Sequence, residues 1–341
     1  MKEILPGIYE VLLTTDMGTT TEINIFIIPG KKGERSLMID AGFQDIKCLK
    51  KMEGVLQELG IAYENLDVFL THKHHDHSGL ANVYASRGAT IYMNPLEERH
   101  HYDCLFYSTQ KTDPAEQDKV LYSVGVTPEK TPEVWEMFEQ VREEIETHNK
   151  RWRLEVRDFP YLPVAPGEKL QYGEYTFETI ALKGHTYGQL GLLDKKNQIF
   201  FCADQVIDGI IPIVATTYPD EHLLKGYFAS LEQFKHEFSG CHLFPAHRKP
   251  IYDTKKVVDR IVFSYLDKVE TMHNILEHGR RPMTIREIAT IAYGMPHPPK
   301  DTEEFIKLKM IMSKCFSCLE YLRDEDFAVR EEKNGTFYWR P

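Results

Sequence analysis

The chain has no long apolar run. None of its 341 residues belongs to a stretch approaching the roughly 20 apolar residues that a membrane-spanning helix needs. Its amino end, Met1 to Gly7, lacks the apolar core of a secretory signal, so a soluble protein of the cytoplasm is expected. Cysteine supplies no framework. The six, at 48, 104, 202, 241, 315 and 318, are scattered, and Cys315-x-x-Cys318 lacks the second pair that would make a zinc knuckle. That pair also falls in a helical pattern, so buried free thiols in a reducing compartment are expected. Positive charge is in deficit as well. A net charge of -11 argues against nucleic acid or an anionic membrane as the main partner and leaves a small molecule. Hydrophobic residues, at 42%, are ample for a globular core, and the length is that of two domains.

One stretch concentrates chemistry. Val68, Phe69 and Leu70 read as the end of a buried strand, and His72, His74, His75, Asp76 and His77 follow within seven residues. Imidazoles at 72 and 74, one residue apart, fit a turn better than one helix face. Asp76 and His77 come next, so a second pair of ligand types points to nearly the same place. Imidazole nitrogen with carboxylate oxygen suits zinc, manganese or iron. A solvated histidine-rich turn that binds nothing is the alternative. Its position directly after a buried strand argues against that, because strand ends are where α/β proteins place their sites.

Four further residues stand in the same relation to apolar strands. Asp40 follows Leu37-Met38-Ile39, and His185 follows the strand over 176–180. Asp204 follows Ile199-Phe200-Phe201-Cys202, and His247 follows Cys241-His242-Leu243-Phe244. Strand-like alternation from 4 to 40 leads to a helix from about Asp45 to Leu59, with Ile46, Leu49, Met52, Leu56 and Leu59 on one face. A strand at 67–70, a helix to about Ser86 and a strand at 90–93 come after it, an order that implies sheets covered by helices. From 95 to 163 the pattern is helical, with Val134, Phe138, Val141 and Ile145 on one stripe. This insertion reads as a lid, a dimer arm or a surface decoration. His100, His101 and His242 read as ordinary surface or packing histidines.

The chain from 253 to 341 reads as a separate unit. A long helix carries Val258, Ile261, Tyr265, Val269, Met272 and Leu276, and Thr284 to Glu287 form a capping box. A helix over about 302–323 and a hairpin turning at Asn334-Gly335 complete it. With 15 Lys plus Arg against 15 Asp plus Glu, it offers no basic excess for DNA. Packing or a homodimer contact is the expected role.

His72, His74, Asp76 and His77 resemble the H-x-H-x-D-H motif of the metallo-β-lactamase fold hydrolases. Asp40, His185 in Gly184-His185-Thr186, Asp204 and His247 are similar to the family's later motifs, in its order. The resemblance covers residues 1 to 252 and implies an α/β fold of the αββα sandwich type. The tail resembles the winged helix appended to some members. The family's roles, carried over, place one metal on His72, His74 and His185 and a second on Asp76, His77 and His247. Asp204 would bridge the two, and Asp40 would orient a ligand imidazole from behind. The implied cofactors are two divalent ions, zinc first, with iron or manganese as alternatives. The implied activity is that of a dinuclear metallohydrolase acting through a metal-bridged hydroxide on a small thioester or related ester, with Asp76 and Asp204 in the catalytic centre.

Alternatives implied by other members are an endoribonuclease or phosphodiesterase, a mononuclear-iron persulfide dioxygenase-like oxidoreductase, and a non-enzymatic binding scaffold. His75 is the non-ligand position of the motif. Two departures stand out. Ala203 replaces the glycine that usually precedes the bridging aspartate, and the last motif, usually P-G-H-G, reads Pro245-Ala246-His247-Arg248. Arg248 is placed to meet an anionic substrate group or to pair with a carboxylate of the insertion.

Overall fold

The structure, a computed structural model, describes residues 1–16, 20–31, 33–98, 113–147, 158–295 and 297–341, with the backbone alone over 144–147. Seven strands pair in chain order into a first sheet: β1 (Lys2–Leu5), β2 (Ile8–Thr14), β3 (Glu22–Ile28), β4 (Ser36–Ile39), β5 (Leu66–Phe69), β6 (Thr90–Met93) and β7 (Leu162–Pro163). The first four are antiparallel meanders, whereas β4 to β7 run parallel. Parallel strands need crossovers. α1 (Ile46–Glu58) makes the first, capped by the Asp45 side chain on Lys47 N–H, and α2 (His75–Ser78) with α3 (Ala81–Ser86) makes the second. α4 (Pro114–Ser123) and α5 (Pro132–Thr147) lie between β6 and β7.

A second sheet has the order β12-β11-β10-β9-β8. Its strands are β8 (Lys169–Tyr172), β9 (Tyr175–Ala181), β10 (Leu190–Asp194), β11 (Ile199–Ala203) and β12 (His242–Pro245). The crossover α6 (Leu223–His236) makes β11 and β12 parallel, so both end at the same edge.

Period-two alternation distributes the side chains among three cores. Ile23, Ile25 and Ile27 of β3 join Met52, Val55 and Leu56 of α1 on the outer face of the first sheet. Phe26, Ile28, Leu37, Ile39 and Phe69 face Phe177, Leu192, Phe201 and Phe244 between the sheets. Phe200, Cys202 and Leu243 cover the outer face of the second sheet with Leu231 and Phe234 of α6. The layers are therefore helix, sheet, sheet, helix, as the sequence resemblance implies. On α1, Ile46 is 63% exposed, and Cys48 and Val55 take the inward face instead. Ile46 is the first residue after the cap, and that turn leaves its side chain in solvent.

The C-terminal region comprises α7 (Thr254–His278), β13 (Met283–Thr284), α8 (Ile285–Tyr293), α9 (Thr302–Asp324), β14 (Val329–Lys333) and β15 (Thr336–Arg340), with sheet order β13-β15-β14. The capping box at Thr284 and Glu287 forms, and Asn334 and Gly335 both take positive φ, as a two-residue hairpin turn requires. The core is continuous across residue 252. Val257, Val258 and Ile261 of α7 share one cluster with Phe200 and Leu243, and that cluster continues through α9 to Trp339. The described helices of the insertion join it as well. Val134, Phe138 and Val141 are buried there, with the Phe138 and Phe305 rings 6.1 Å apart, so α5 is no surface decoration. Among the described residues no helix is long and apolar enough to cross a membrane.

Candidate metal centre

The parallel strand pairs bring four ligand-type motifs to one edge of the sandwich, and the loop after the antiparallel β9 brings His185 to the same place. Asp40 follows β4, His72 follows β5, Asp204 follows β11 and His247 follows β12. The two sheets are stitched together there: Leu190 N–H donates to Thr71 O at 2.9 Å, and Asn24 N–H to Ala246 O at 2.7 Å. After His72 and His74 the chain makes the single turn α2, which carries Asp76 and His77, and breaks at Gly79. A Cβ at Gly79 would stand 2.4 Å from Gln44 N and 2.6 Å from His75 O, so only glycine lets this turn press on the 42–44 loop. Gly184, before His185, has φ 114° and is similarly pressed on Tyr227.

Two groups result, with Asp204 between them. His72 Nε2 lies 2.8 Å from His74 Nδ1, which lies 3.1 Å from His185 Nε2, and the three rings meet nearly edge-on. On the other side Asp76 Oδ2 stands 3.4 Å from His247 Nε2 and 3.8 Å from His77 Nε2. Asp204 presents Oδ1 to His77 Nε2 at 3.6 Å and to His247 Nε2 at 3.4 Å, and Oδ2 to His185 Nε2 at 3.6 Å. The groups His72/His74/His185 and Asp76/His77/His247 each gather ligand atoms within 4.8 Å of one another, as do His72, His77 and Asp204. All seven residues singled out from the sequence therefore meet.

The far side of the imidazoles is occupied. His185 Nδ1 lies 2.8 Å from Ile213 O and His247 Nδ1 lies 2.6 Å from Glu22 O. A carbonyl only accepts, so those nitrogens carry the protons and leave Nε2 a bare donor toward the centre. Asp40 accepts from His77 Nδ1 at 2.8 Å, from Thr71 N–H at 2.8 Å and from the Thr71 hydroxyl. Carbonyls and carboxylates behind imidazoles in this way are the usual outer support of metal-bound histidine. At the centre, His77 Nε2 and Asp204 Oδ1 are buried and have no hydrogen-bond partner among the described residues. Buried polar atoms are costly unless satisfied, and a cation satisfies both. The donor set fits divalent metal ions.

The surroundings of the two groups differ. Burial lowers His72 well below the ordinary histidine range, holds His74 down to about 3 and lowers His185. Burial also opposes charge on Asp204, but His247 and His77 outweigh it and hold the carboxyl well below its usual range. His77 is raised by Asp40, Asp76 and Asp204 against burial, and His247 by Asp204 to about 10.

Several residues stand apart. His75 joins neither group, and its ring lies 6.3 Å from that of Phe43. Arg248 pairs with Glu22 of β3 at 3.2 Å, so its carboxylate partner belongs to the sandwich and not to the insertion. His242 is exposed, while His100, His101 and Cys104 lie outside the described residues. The five described cysteines are free; Cys315 and Cys318 are buried in α9, with the Cys318 thiol pushed up to about 12 by burial.

Sequence reasoning missed Glu97. Its carboxylate accepts from Lys73 N–H at 2.8 Å, from Gly188 N–H at 2.7 Å and from the Thr186 hydroxyl at 2.6 Å, tying the His72–His74 turn to the His185 loop. It stands four residues past β6, the parallel neighbour of β5, and an acidic residue shortly after a strand was the signal that could have found it. Gln189 and Gln205 were missed as well. Gln189 Oε1 accepts from Asp204 N–H at 3.3 Å, and its amide donates to Gln205 Oε1.

An αββα sandwich with histidine and aspartate groups at one edge defines a metal-site fold of hydrolase type. The model of the metallo-beta-lactamase superfamily matches residues 18–247, and the chain belongs to that superfamily, whose members are generally hydrolytic enzymes that bind metal ions. A metallo-beta-lactamase family protein from Thermus thermophilus superposes with TM-score 0.74 at 20% identity, over 99% of both chains. A beta-lactamase domain protein from Burkholderia ambifaria gives 0.76 at 17% identity, over 99% of this chain and 93% of that one. Likeness at this identity shows the fold alone, and here it extends over the C-terminal region. No curated protein matches the chain.

Proposed function

We propose that the chain is a hydrolase using two divalent cations, zinc by preference, on a small ester-type substrate, a thioester or related ester first. The observation that carries this reading is Asp204, whose two oxygens face different groups: Oδ1 faces His77 and His247, and Oδ2 faces His185. His72, His74 and His185 would hold one cation, and Asp76, His77 and His247 the other, with Asp204 shared. Cations so held supply hydroxide near neutral pH and stabilise the charge that develops on an attacked ester. The residues contribute aim and charge. Asp40 turns His77 Nε2 inward, Asp76 and Asp204 offset two dications, and Arg248 at the rim is free on one side for an acidic substrate group. A protein nucleophile is not needed. Cys202, two residues from Asp204, is turned into the outer core, and burial pushes its thiol up. The C-terminal region is read as a winged-helix-like appendage that packs on the catalytic unit and takes no part in binding nucleic acid.

The test is elemental analysis of purified protein, followed by a panel of thioesters, lactones and phosphodiesters on metal-replete enzyme. Two ions per chain and chelator-sensitive turnover of thioesters or related esters are expected. One ion or fewer after reconstitution with zinc, iron or manganese overturns the dinuclear reading, and turnover of phosphodiesters alone overturns the substrate class. A single iron with oxygen uptake on a persulfide replaces hydrolysis by dioxygenation.

A further inference from the structure

The segment after Asp204 passes between the ligand groups and the C-terminal helices, and over 211–217 it has no regular secondary structure. The Ile213 carbonyl in this strap accepts from His185 Nδ1 at 2.8 Å. The residues on either side of Ile213 are held by one hydroxyl. Tyr265 of α7 donates to Pro212 O at 2.6 Å and accepts from Val214 N–H at 2.9 Å. Farther along, Ser317 of α9 accepts from Thr216 N–H at 2.9 Å and stands 3.0 Å from Val214 O. Both side chains are 1% exposed. A buried backbone group outside helix or sheet needs such a partner, and here the partners come from residues far along the chain.

We propose that Tyr265, with Ser317 behind it, is a positioning residue that aims His185 into the ligand group, making the C-terminal region part of the metal centre's scaffold. The inference rests on reading His185 as a ligand. An imidazole's direction is set by what its other nitrogen binds, and loss of such an outer contact weakens metal affinity by about 10- to 100-fold. Ile213 O can hold that place only while Pro212 and Val214 are held. The packing of Tyr265 does not need the hydroxyl: its ring lies 5.7 Å from that of Tyr227 and 6.3 Å from that of Phe228, contacts phenylalanine would keep. The effect belongs to one group only. His77 and His247 are braced from within the sandwich, by Asp40 and by Glu22 O.

The experiment is a cobalt(II) titration of apo-protein in competition with a chromophoric chelator, following the visible absorption of the bound ion. It compares wild type, Tyr265→Phe, Ser317→Ala and Met272→Ala. Met272 is buried on α7 about two turns beyond Tyr265 and makes no hydrogen bond to the strap. Tyr265→Phe is expected to weaken one of two binding steps by about 10- to 100-fold, alter the spectrum of that ion and leave the other step unchanged. Ser317→Ala should weaken the same step by less. Met272→Ala should lower the unfolding midpoint at least as far and leave both steps in place. Unaltered binding in Tyr265→Phe and Ser317→Ala overturns the proposal while leaving the metal reading intact, and so does equal weakening in Tyr265→Phe and Met272→Ala. A wild-type protein that takes up no cobalt overturns both.

Discussion

The two ligand groups are braced from different parts of the molecule. Asp76, His77 and His247 are buried, and their supports lie inside the sandwich: the Asp40 carboxylate behind His77 and the Glu22 carbonyl behind His247. In the group of His72, His74 and His185, His72 Nδ1 lies 3.1 Å from the Thr71 hydroxyl inside the sandwich, but the His185 loop is held from outside it. Glu97, at the start of the insertion, clamps the first turn to the His185 loop, while Tyr265 and Ser317 hold the strap behind His185. The outside supports touch only the His185 side, and the Glu22 carbonyl only His247. Loss of one such support should therefore spare the other half, whereas loss of Asp204 should not.

That exception is the largest expected effect. Asp204→Asn keeps the shape and removes the charge that both groups use. At least one cation should be lost, and turnover should fall by at least about 100-fold. Elemental analysis and kcat check it. Asp208→Asn, at a surface residue paired with Arg260, and His75→Ala, inside the motif but in neither group, should retain both ions. Metal lost in His75→Ala and kept in Asp204→Asn would show the ligands read in the wrong register.

Glu97→Gln is expected to break the comparison on one side only. The carboxylate accepts from three donors, and an amide in its place must turn an N–H toward one of them. One buried donor goes unsatisfied, at a cost of about 1–3 kcal/mol. Thermal unfolding of metal-free protein reads that cost, and cobalt binding should weaken at the His72/His74/His185 group alone. Weakening at both groups would mean that the sandwich does not brace the other half by itself.

This asymmetry also separates what was legible in the sequence from what was not. The candidate ligands and Asp40 were legible through the resemblance to the family's motifs, and each motif also lies shortly after an apolar strand. Behind His185 and His247 stand the carbonyls of Ile213 and Glu22, and a carbonyl is common to every residue and leaves no mark. Tyr265 was visible as one apolar position in a helical stripe, which says nothing of where its hydroxyl points. The stripe of Val134, Phe138 and Val141 was likewise readable, but not that it faces Phe305. β13 is only two residues long, too short to show alternation, and it is fixed by pairing with Trp339 and Tyr338.

The smallest effects concern the two departures from the family's motifs. Ala203 and Arg248 stand where glycine is usual, and both have positive φ, 48° and 68°. A side chain there costs about 1–2 kcal/mol. Ala203→Gly removes that strain and gives back about 0.4–1 kcal/mol through the freer unfolded chain, so a net gain between about 0 and 1.6 kcal/mol is expected. Arg248→Gly relieves the same strain but also deletes the ion pair with Glu22. The guanidinium in that pair is 55% exposed, so the pair is worth at most about 1 kcal/mol and the net change should be near zero. Two thermal melts compare them. Function separates them further: if Arg248 meets an acidic group of the substrate, Arg248→Gly raises KM for an anionic ester and leaves kcat and the KM of a neutral ester alone, whereas Ala203→Gly changes neither. A less stable Ala203→Gly would mean that the Ala203 methyl is held by packing that outweighs its strain, and that glycine is dispensable before the shared aspartate.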